Sequence, residues 1–201
     1  MAFGPDWGVK DWDDEAITSI IQSEIDRSWR VRGIGDFAVG LRRDTSIAST
    51  ANTAESHGPK VLDMGEEQRL EQTEWVGYVG VRDATTTSML GGETHHPTSR
   101  PWVQMIELRY GYNPDVWGKG YGMEAARAII WWCEEHIKAQ RFIAETQTNN
   151  LGSGKILRKC GFTEILEKDE VIWGVKGEQE WELWAGKSCL ELSPTILTIK
   201  E

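Results

Sequence analysis

Three glycines at alternate positions, Gly118, Gly120 and Gly122, open a segment rich in helix-forming residues. Because glycine has no Cβ, a backbone this rich in it can approach a ligand closely and expose consecutive N–H groups. Those N–H groups, with the positive end of a helix dipole behind them, favour a phosphate or pyrophosphate. The pattern predicts a site for a phosphorylated cofactor, and a glycine-rich loop that only caps a helix is the alternative.

The neighbouring residues argue against two common phosphate-binding motifs. A Walker loop needs Ser or Thr after its Gly-Lys pair, whereas Lys119 is followed by Gly120. A dinucleotide fingerprint would place its third glycine one residue later than Gly122. Pro114 also breaks the preceding extended run a few residues before the turn. The glycines therefore indicate a different kind of phosphate site.

A second motif follows about thirty residues further along the chain. A strand-like run over 141–148 leads into an Asn-x-x-Ser sequence at Asn150 and Ser153, and then into Gly161-Phe162. Two motifs in this order and spacing carry more information than either one alone.

Together the two motifs resemble the Gcn5-related N-acetyltransferase (GNAT) superfamily. Residues 114–125 have the wording Pro-x-x-Trp-Gly-Lys-Gly-Tyr-x-x-Glu-Ala, which looks most like the branch that contains the ribosomal-protein N-terminal acetyltransferases. Trp117 stands where the acetyl-CoA motif usually has Gln or Arg, a replacement common in that branch. The matched region, 107–162, covers about a quarter of the chain.

The resemblance implies an α+β class and a GNAT fold: a mixed, mostly antiparallel central sheet, splayed between strands 4 and 5 and flanked by helices. A length of 201 residues favours a single domain over 1–201, with polar loop insertions at about 42–73 and 83–101. Nothing before Trp12 matches the family's usual first strand, so we expect that strand to be absent or replaced.

The hydrophobic pattern places the individual elements along the chain. It predicts helices over 12–29 and 121–137, strands over 35–41, 74–81, 102–112 and 141–148, and a closing hairpin formed by 162–173 and 180–185.

Acetyl-CoA is the cofactor that the resemblance implies, bound as a co-substrate, with the loop 118–122 on its pyrophosphate. The pantetheine arm would lie between the splayed strands, where a backbone N–H near Tyr110 would polarise the thioester carbonyl and stabilise the oxyanion. The residues that the resemblance assigns to cofactor binding are Tyr110, Gly111, Tyr112, Trp117, Gly118, Lys119, Gly120, Tyr121, Gly122, Asn150 and Ser153.

Two residues are candidates for catalysis. Glu107 lies at the strand position where many relatives place a carboxylate, and it would act as the general base, through water. The alternative is a strand glutamate that pairs with Arg109 or is simply solvated. The tyrosine that often protonates the departing thiolate is replaced by Leu157, so the pattern suggests Ser153 as the substitute acid. Helix capping is the competing explanation for that serine.

The resulting prediction is an N-acetyltransferase that moves an acetyl group from acetyl-CoA to a primary amine by direct attack in a ternary complex. A small-molecule amine or a protein N-terminus would be the acceptor. The alternative is a catalytically silent acyl-CoA-binding or interaction protein with the same fold, which the missing tyrosine and the unusual N-terminus motivate.

Charge and composition restrict the partners. The chain has 32 acidic against 22 basic residues, a net charge of −10, which argues against nucleic acid and anionic membranes. No apolar run reaches membrane-spanning length, and the three cysteines lack metal-ligand spacing. We therefore expect a cytoplasmic enzyme without a metal, with a weak alternative metal site at His95-His96. Core packing or a homodimer contact would explain most of the eleven tryptophans.

Overall fold

A computed structural model of the chain describes residues 13–41, 73–86, 100–166 and 172–186. They form one six-stranded sheet in the order β1-β2-β3-β4-β6-β5. The strands are β1 (Asp36–Leu41), β2 (Glu74–Asp83), β3 (Ile106–Tyr112), β4 (Arg141–Gln147), β5 (Thr163–Glu164) and β6 (Glu178–Trp184). Every neighbouring pair is antiparallel except β3 and β4, which run parallel. The predicted α+β class and mostly antiparallel sheet are confirmed.

The parallel pair is the feature that positions the site. Strands β3 and β4 are in register at Ile106 with Phe142 and at Glu107 with Ile143, and within the described chain they pair nowhere else. Beyond Glu107 the two strands diverge, which confirms the predicted splay. It lies between the third and fourth described strands rather than the fourth and fifth, because the predicted numbering counts a strand before the first helix.

The described chain begins with helix α1 (Asp14–Glu24), which continues through a π-helical turn (Ile25–Trp29) into a final turn at Arg30–Arg32. The Asp13 carboxylate caps the helix by accepting a hydrogen bond from the Ala16 N–H, which satisfies one of the free donors at the N-terminus. The helical prediction for 12–29 is confirmed. Residues 1–12, where a first strand would fall, lie outside the described residues.

Helices α2 (Tyr121–His136) and α3 (Leu151–Cys160) pack together over one face of the sheet. The core beneath them includes Leu108, Tyr110, Phe142 and Trp181. Because side chains alternate along a strand, Glu107 and its neighbours of the same parity face the opposite side of the sheet. The sheet therefore separates an apolar helix-covered face from a face that carries charges.

Two predicted strands differ from the structure. Residues 102–104 form a 3₁₀ turn (Trp102–Gln104), in which the Met105 N–H bonds the Trp102 carbonyl, so β3 begins only at Ile106. In the closing hairpin β5 has just two residues, and the second strand begins at Glu178 rather than at residue 180. The first difference follows from Pro101, whose backbone caps the turn and stops the extended run.

Several expectations concern residues that the structure leaves undescribed. The polar insertion at 42–73 falls on residues 42–72 except for its last residue, and most of the insertion at 83–101, with the pair His95-His96, falls on residues 87–99. The prediction of a single domain over 1–201 stays a prediction. In the described part of the chain no helix is long and apolar enough to cross a bilayer.

Candidate active site

A cleft of about 710 Å³ opens where β3 leaves β4, bounded by the first turns of α2 and α3. It brings together most of the residues predicted to bind a cofactor: Tyr110, Tyr112, Trp117, Gly118, Gly120, Tyr121, Gly122, Asn150 and Ser153. Gly111, Lys119 and Glu107 are not among the residues that line it. Two stretches of sequence more than twenty residues apart thus meet at one cleft.

The glycine loop presents open backbone to this cleft. Gly118 and Gly120 have φ of +76° and +93°, a left-handed conformation that other residues rarely adopt. A Cβ built on either glycine meets nothing within 4 Å, so both face open space. Gly120 is the N-cap of α2 and no side chain caps that end. Since the first N–H groups of a helix lack intrahelical partners, those of Tyr121 and Gly122 are free to bind an anion.

Gly122 is required for a different reason. It is buried in the first turn of α2, and a Cβ there would lie 3.0 Å from Ile156 Cδ1 and 3.2 Å from Tyr112 Cε2. The missing side chain lets α2 approach β3 and α3 closely. Gly122 therefore sets how closely α2 approaches β3 and α3 at the cleft, while Gly118 and Gly120 expose their backbone to it.

Trp117 joins the end of β3 to the glycine loop. Its indole Nε1–H donates a hydrogen bond of 2.9 Å to the Tyr112 carbonyl, across the short 3₁₀ turn Pro114–Val116. The indole is still 49% exposed and lines the cleft. Trp117 thus anchors the loop through a hydrogen bond from its side chain to the backbone at the end of β3.

Asn150 and Ser153 occupy the first turn of α3. The Asn150 Oδ1 accepts a hydrogen bond of 3.1 Å from the Ser153 N–H, so Asn150 is the N-cap and the capping explanation for Ser153 does not apply. Ser153 is 1% exposed, and its Oγ has no hydrogen-bond partner among the described residues. A buried hydroxyl without a partner is costly, which is consistent with a group kept for a ligand.

The two tyrosines of β3 are neutral phenols. Burial raises the pKa of both Tyr110 and Tyr112 above the ordinary value, so neither ionises at physiological pH. The Tyr110 hydroxyl donates to the Ser153 carbonyl at 3.2 Å, which ties β3 to α3. Leu157, at the position of the family's usual tyrosine, is completely buried.

Glu107 forms an ion pair with an arginine that is distant from it in the sequence. Arg82 of β2 donates from Nε to one carboxylate oxygen at 2.7 Å and from a terminal nitrogen to the other at 2.9 Å. Both side chains are 6% exposed. Arg109, the predicted partner in the structural alternative, instead pairs with Asp36 at 3.3 Å. The role of Glu107 as a base stays a prediction, and both its oxygens are already engaged.

Two cationic residues at the cleft were not among the site residues predicted from the sequence. Lys155 and Lys159 of α3 line it, in addition to the predicted residues. Their spacing of four residues places both on one face of a helix, a signal that was available in the sequence. Two ammonium groups on this wall would suit the phosphates of a nucleotide.

The chain belongs to the GNAT acetyltransferase family, because the family model described as the acetyltransferase (GNAT) domain matches residues 2–163. Among curated relatives, the FsC-acetyl coenzyme A-N(2)-transacetylase of Aspergillus fumigatus is 34% identical over 87 residues, which are 36% of this chain and 37% of that protein. The uncharacterised N-acetyltransferase YjdG of Bacillus subtilis is 40% identical over 58 residues, 29% of this chain and 34% of that protein. Both matches span about a third of the relative's own length.

Solved structures share the architecture. The acetyltransferase from Agrobacterium tumefaciens strain C58 superimposes with a TM-score of 0.55 at 16% identity, covering 90% of this chain and 79% of the other. At this identity the likeness shows the common fold.

Proposed function

We propose that the protein is an N-acetyltransferase that transfers the acetyl group of acetyl-CoA to a primary amine by direct attack in a ternary complex. The observation that carries the proposal is the divergence of β3 from β4 directly beside a glycine loop with open backbone. Family membership and the two N-acetyltransferase relatives support the same reaction class.

Acetyl-CoA fits the residues of the cleft. The backbone of Gly118 to Gly122, with Lys119, would hold the pyrophosphate, because open N–H groups and a helix N-terminus favour anions. The pantetheine arm would run along Tyr110, Gly111 and Tyr112, whose edge toward β4 is free of strand pairing in the described chain. A backbone N–H near Tyr110 would polarise the thioester carbonyl, a contribution typically worth about 2.7–4 kcal/mol.

The acceptor must attack as a neutral amine, so a group must take its proton. Glu107 is the residue that the resemblance assigns to this step. The Arg82 guanidinium uses one acceptor position on each Glu107 oxygen, so taking a proton would weaken a bidentate charge-assisted pair, which is among the stronger hydrogen-bonded contacts in proteins.

Ser153 is the candidate that would protonate the thiolate, and Asn150 would hydrogen-bond the pantetheine through its amide NH₂. The unpaired Oγ of Ser153 and its place in the cleft support this assignment. A coenzyme A thiolate is also a good leaving group, so the contribution of a dedicated acid is expected to be modest.

Replacing Ser153 with alanine should therefore lower kcat by about ten-fold, below the usual range for general acids, and leave coenzyme A affinity within about two-fold. Steady-state kinetics and calorimetry check both values. Ser28→Ala is the matched control, since Ser28 is also buried, at 3% exposure, but lies before β1 on the N-terminal helix. An unchanged kcat in Ser153→Ala would remove the serine from the mechanism.

The acceptor is proposed only by class: a small-molecule amine or a protein N-terminus, the latter in line with the ribosomal-protein branch that the motifs resemble. A net charge of −10 is compatible with a basic acceptor and unfavourable for nucleic acid or anionic membranes. The proposal places the protein in the cytoplasm and involves no metal. It is compatible with a homodimer.

A catalytically silent acyl-CoA-binding protein is the second candidate, favoured by the buried Leu157 and by the engaged carboxylate of Glu107. Incubation with acetyl-CoA and a panel of primary amines and peptides, with free thiol as the readout, separates the two functions. Amine-dependent thiol release supports the enzyme. Coenzyme A binding without any such release supports the silent protein.

A further inference from the structure

A second carboxylate, Glu145, lies at the opening between the strands. Ile143 is the last residue of β4 that pairs with β3, and Glu145 follows two residues later on the same side of the strand. This is also the side of Glu107, which pairs with Ile143. Two residues further, Gln147 lines the cleft. Glu145 therefore lies on the part of β4 that β3 no longer pairs with, between Ile143 and Gln147, although it is not itself among the residues that line the cleft.

The surroundings of Glu145 contain acids and no cation that pairs with it in the described chain. Directly opposite on β6 is Glu180, whose carboxylate accepts three backbone N–H bonds of 2.6–2.7 Å and is thereby satisfied. Glu178, also of β6, shares a side-chain hydrogen bond with Glu145. Glu107, on β3, is paired with Arg82. One oxygen of Glu145, Oε1, is buried and has no hydrogen-bond partner among the described residues.

This environment gives Glu145 an unusual affinity for a proton. Burial is the largest cause, and the hydrogen bond with Glu178 and the charges of Glu178, Glu180 and Glu107 act in the same direction, so the pKa of Glu145 rises to about 9. A raised carboxyl pKa means that most of the group is protonated at neutral pH, so the ionised form that can take a proton becomes abundant only as the pH rises toward 9. Amine acceptors have pKa values of about 7.7–8 for an α-amine and about 10.4 for lysine. Proton transfer is most effective between groups of similar pKa, and an ordinary carboxylate, near 4.3, is a poor match for these amines.

From this placement we propose that Glu145 is the catalytic group that takes the proton from the acceptor ammonium, while Glu107 has a positioning role in its ion pair with Arg82. The proposal rests on the acetyltransferase function proposed above. It assigns to a specific side chain a step for which the family resemblance indicated another residue.

The step balances as follows for an acceptor that arrives as an ammonium ion. One proton passes from nitrogen to the ionised form of Glu145, and the freed nitrogen lone pair forms the C–N bond to the thioester carbon. The C–S bond then breaks with its electron pair on sulfur, and the second proton lost by nitrogen ends on the thiolate. Glu145 returns its proton to water, so each amide formed releases one proton.

The test compares Glu145→Gln with Glu107→Gln, using amines from the panel that span a range of basicity. At a pH near 9, where the ionised form of Glu145 is abundant, Glu145→Gln should lower kcat/KM with a strongly basic amine by about 10² to 10⁴, the usual contribution of a general base. With an amine that is already largely neutral at the assay pH, the loss should shrink by about ten-fold or more, because no proton then has to be taken. Glu182→Gln is the matched control: Glu182 is half-buried on β6, on the same side of the sheet, and pairs with Arg141 instead. Its kcat/KM should stay within about two-fold.

A titration that needs no acceptor gives an independent readout. In protein labelled with ¹³C at glutamate carboxyls, one resonance should titrate with a midpoint near 9 and be missing from Glu145→Gln. In Glu178→Gln the same midpoint should move to lower pH, because one neighbouring charge is gone.

Three results would overturn the assignment: an unchanged kcat/KM in Glu145→Gln, a loss that is independent of amine basicity, or a basicity-dependent loss in Glu107→Gln instead. All three require a wild-type protein that releases thiol with amines. Absence of that release would contradict the acetyltransferase function and is thus a separate outcome.

Discussion

Replacing Gly120 with glutamate is expected to weaken coenzyme A binding by more than about 100-fold, which corresponds to about 2.7 kcal/mol or more. Two effects act together. Gly120 has φ of +93°, so a residue with a Cβ strains the turn that starts α2. The new carboxylate would also stand at the helix N-terminus, where the N–H groups proposed to hold the pyrophosphate would meet a competing negative charge. Isothermal calorimetry with coenzyme A measures the change directly.

Gly33→Glu is the matched control for this variant. Gly33 has φ of +69°, and a Cβ there also meets nothing within 4 Å, so the backbone strain and the exposed setting are similar. It ends the N-terminal helical segment, outside the cleft. We expect Gly33→Glu to be less stable but to bind coenzyme A within about three-fold of wild type, once the folded fraction is taken into account. Equal affinity losses in the two variants would show that strain, and not the anion site, explains the effect.

Replacing Arg82 with methionine should lower the free energy of unfolding by about 3–5 kcal/mol. The substitution leaves the buried Glu107 carboxylate without its cation, and an unpaired buried charge is costly. Urea denaturation followed by circular dichroism gives the value, provided that the unfolding slope stays unchanged.

The double variant Arg82→Met/Glu107→Leu separates the ion pair from the rest of the packing. A buried ion pair replaced by apolar groups of similar volume is often close to neutral in stability, so the second change should recover most of what the first one lost. A single-variant loss below about 1 kcal/mol would mean that water or another group compensates Glu107, and the carboxylate would then be freer to act as a base than its geometry indicates.

The parts of the site that could be predicted from the sequence are those encoded locally. The glycines act through their own backbone conformation, so an open loop at Gly118 and Gly120 before a helix could be predicted from a few adjacent residues. The splay was an expectation from the family that the two motifs resemble, and the structure confirms it beyond the pair Glu107–Ile143.

The partners of the charged groups could not be predicted, because they depend on which strands become neighbours. Glu107 pairs with Arg82, 25 residues earlier, since β2 and β3 are antiparallel with these two residues in register. Arg109, only two residues away, is drawn to Asp36 of β1. The same holds for Glu145, whose pKa is raised by burial and then by acids of β6 that are more than thirty residues distant.

Helix capping shows how a correct motif can still leave a role open. Asn-x-x-Ser fits a helix start in which either residue is the cap, and only the hydrogen bond from the Ser153 N–H to Asn150 decides between them. That bond leaves the Ser153 hydroxyl without a partner among the described residues, which is the observation that supports its proposed role as an acid.

The most direct test of the account is a crystal structure of the protein with coenzyme A. The account predicts the diphosphate against the backbone amides of Gly118 to Gly122, and the pantetheine arm between β3 and β4 just beyond the pair Glu107–Ile143. A structure in which the gap between these strands is filled by the protein's own side chains, with the coenzyme bound elsewhere or not at all, would contradict it.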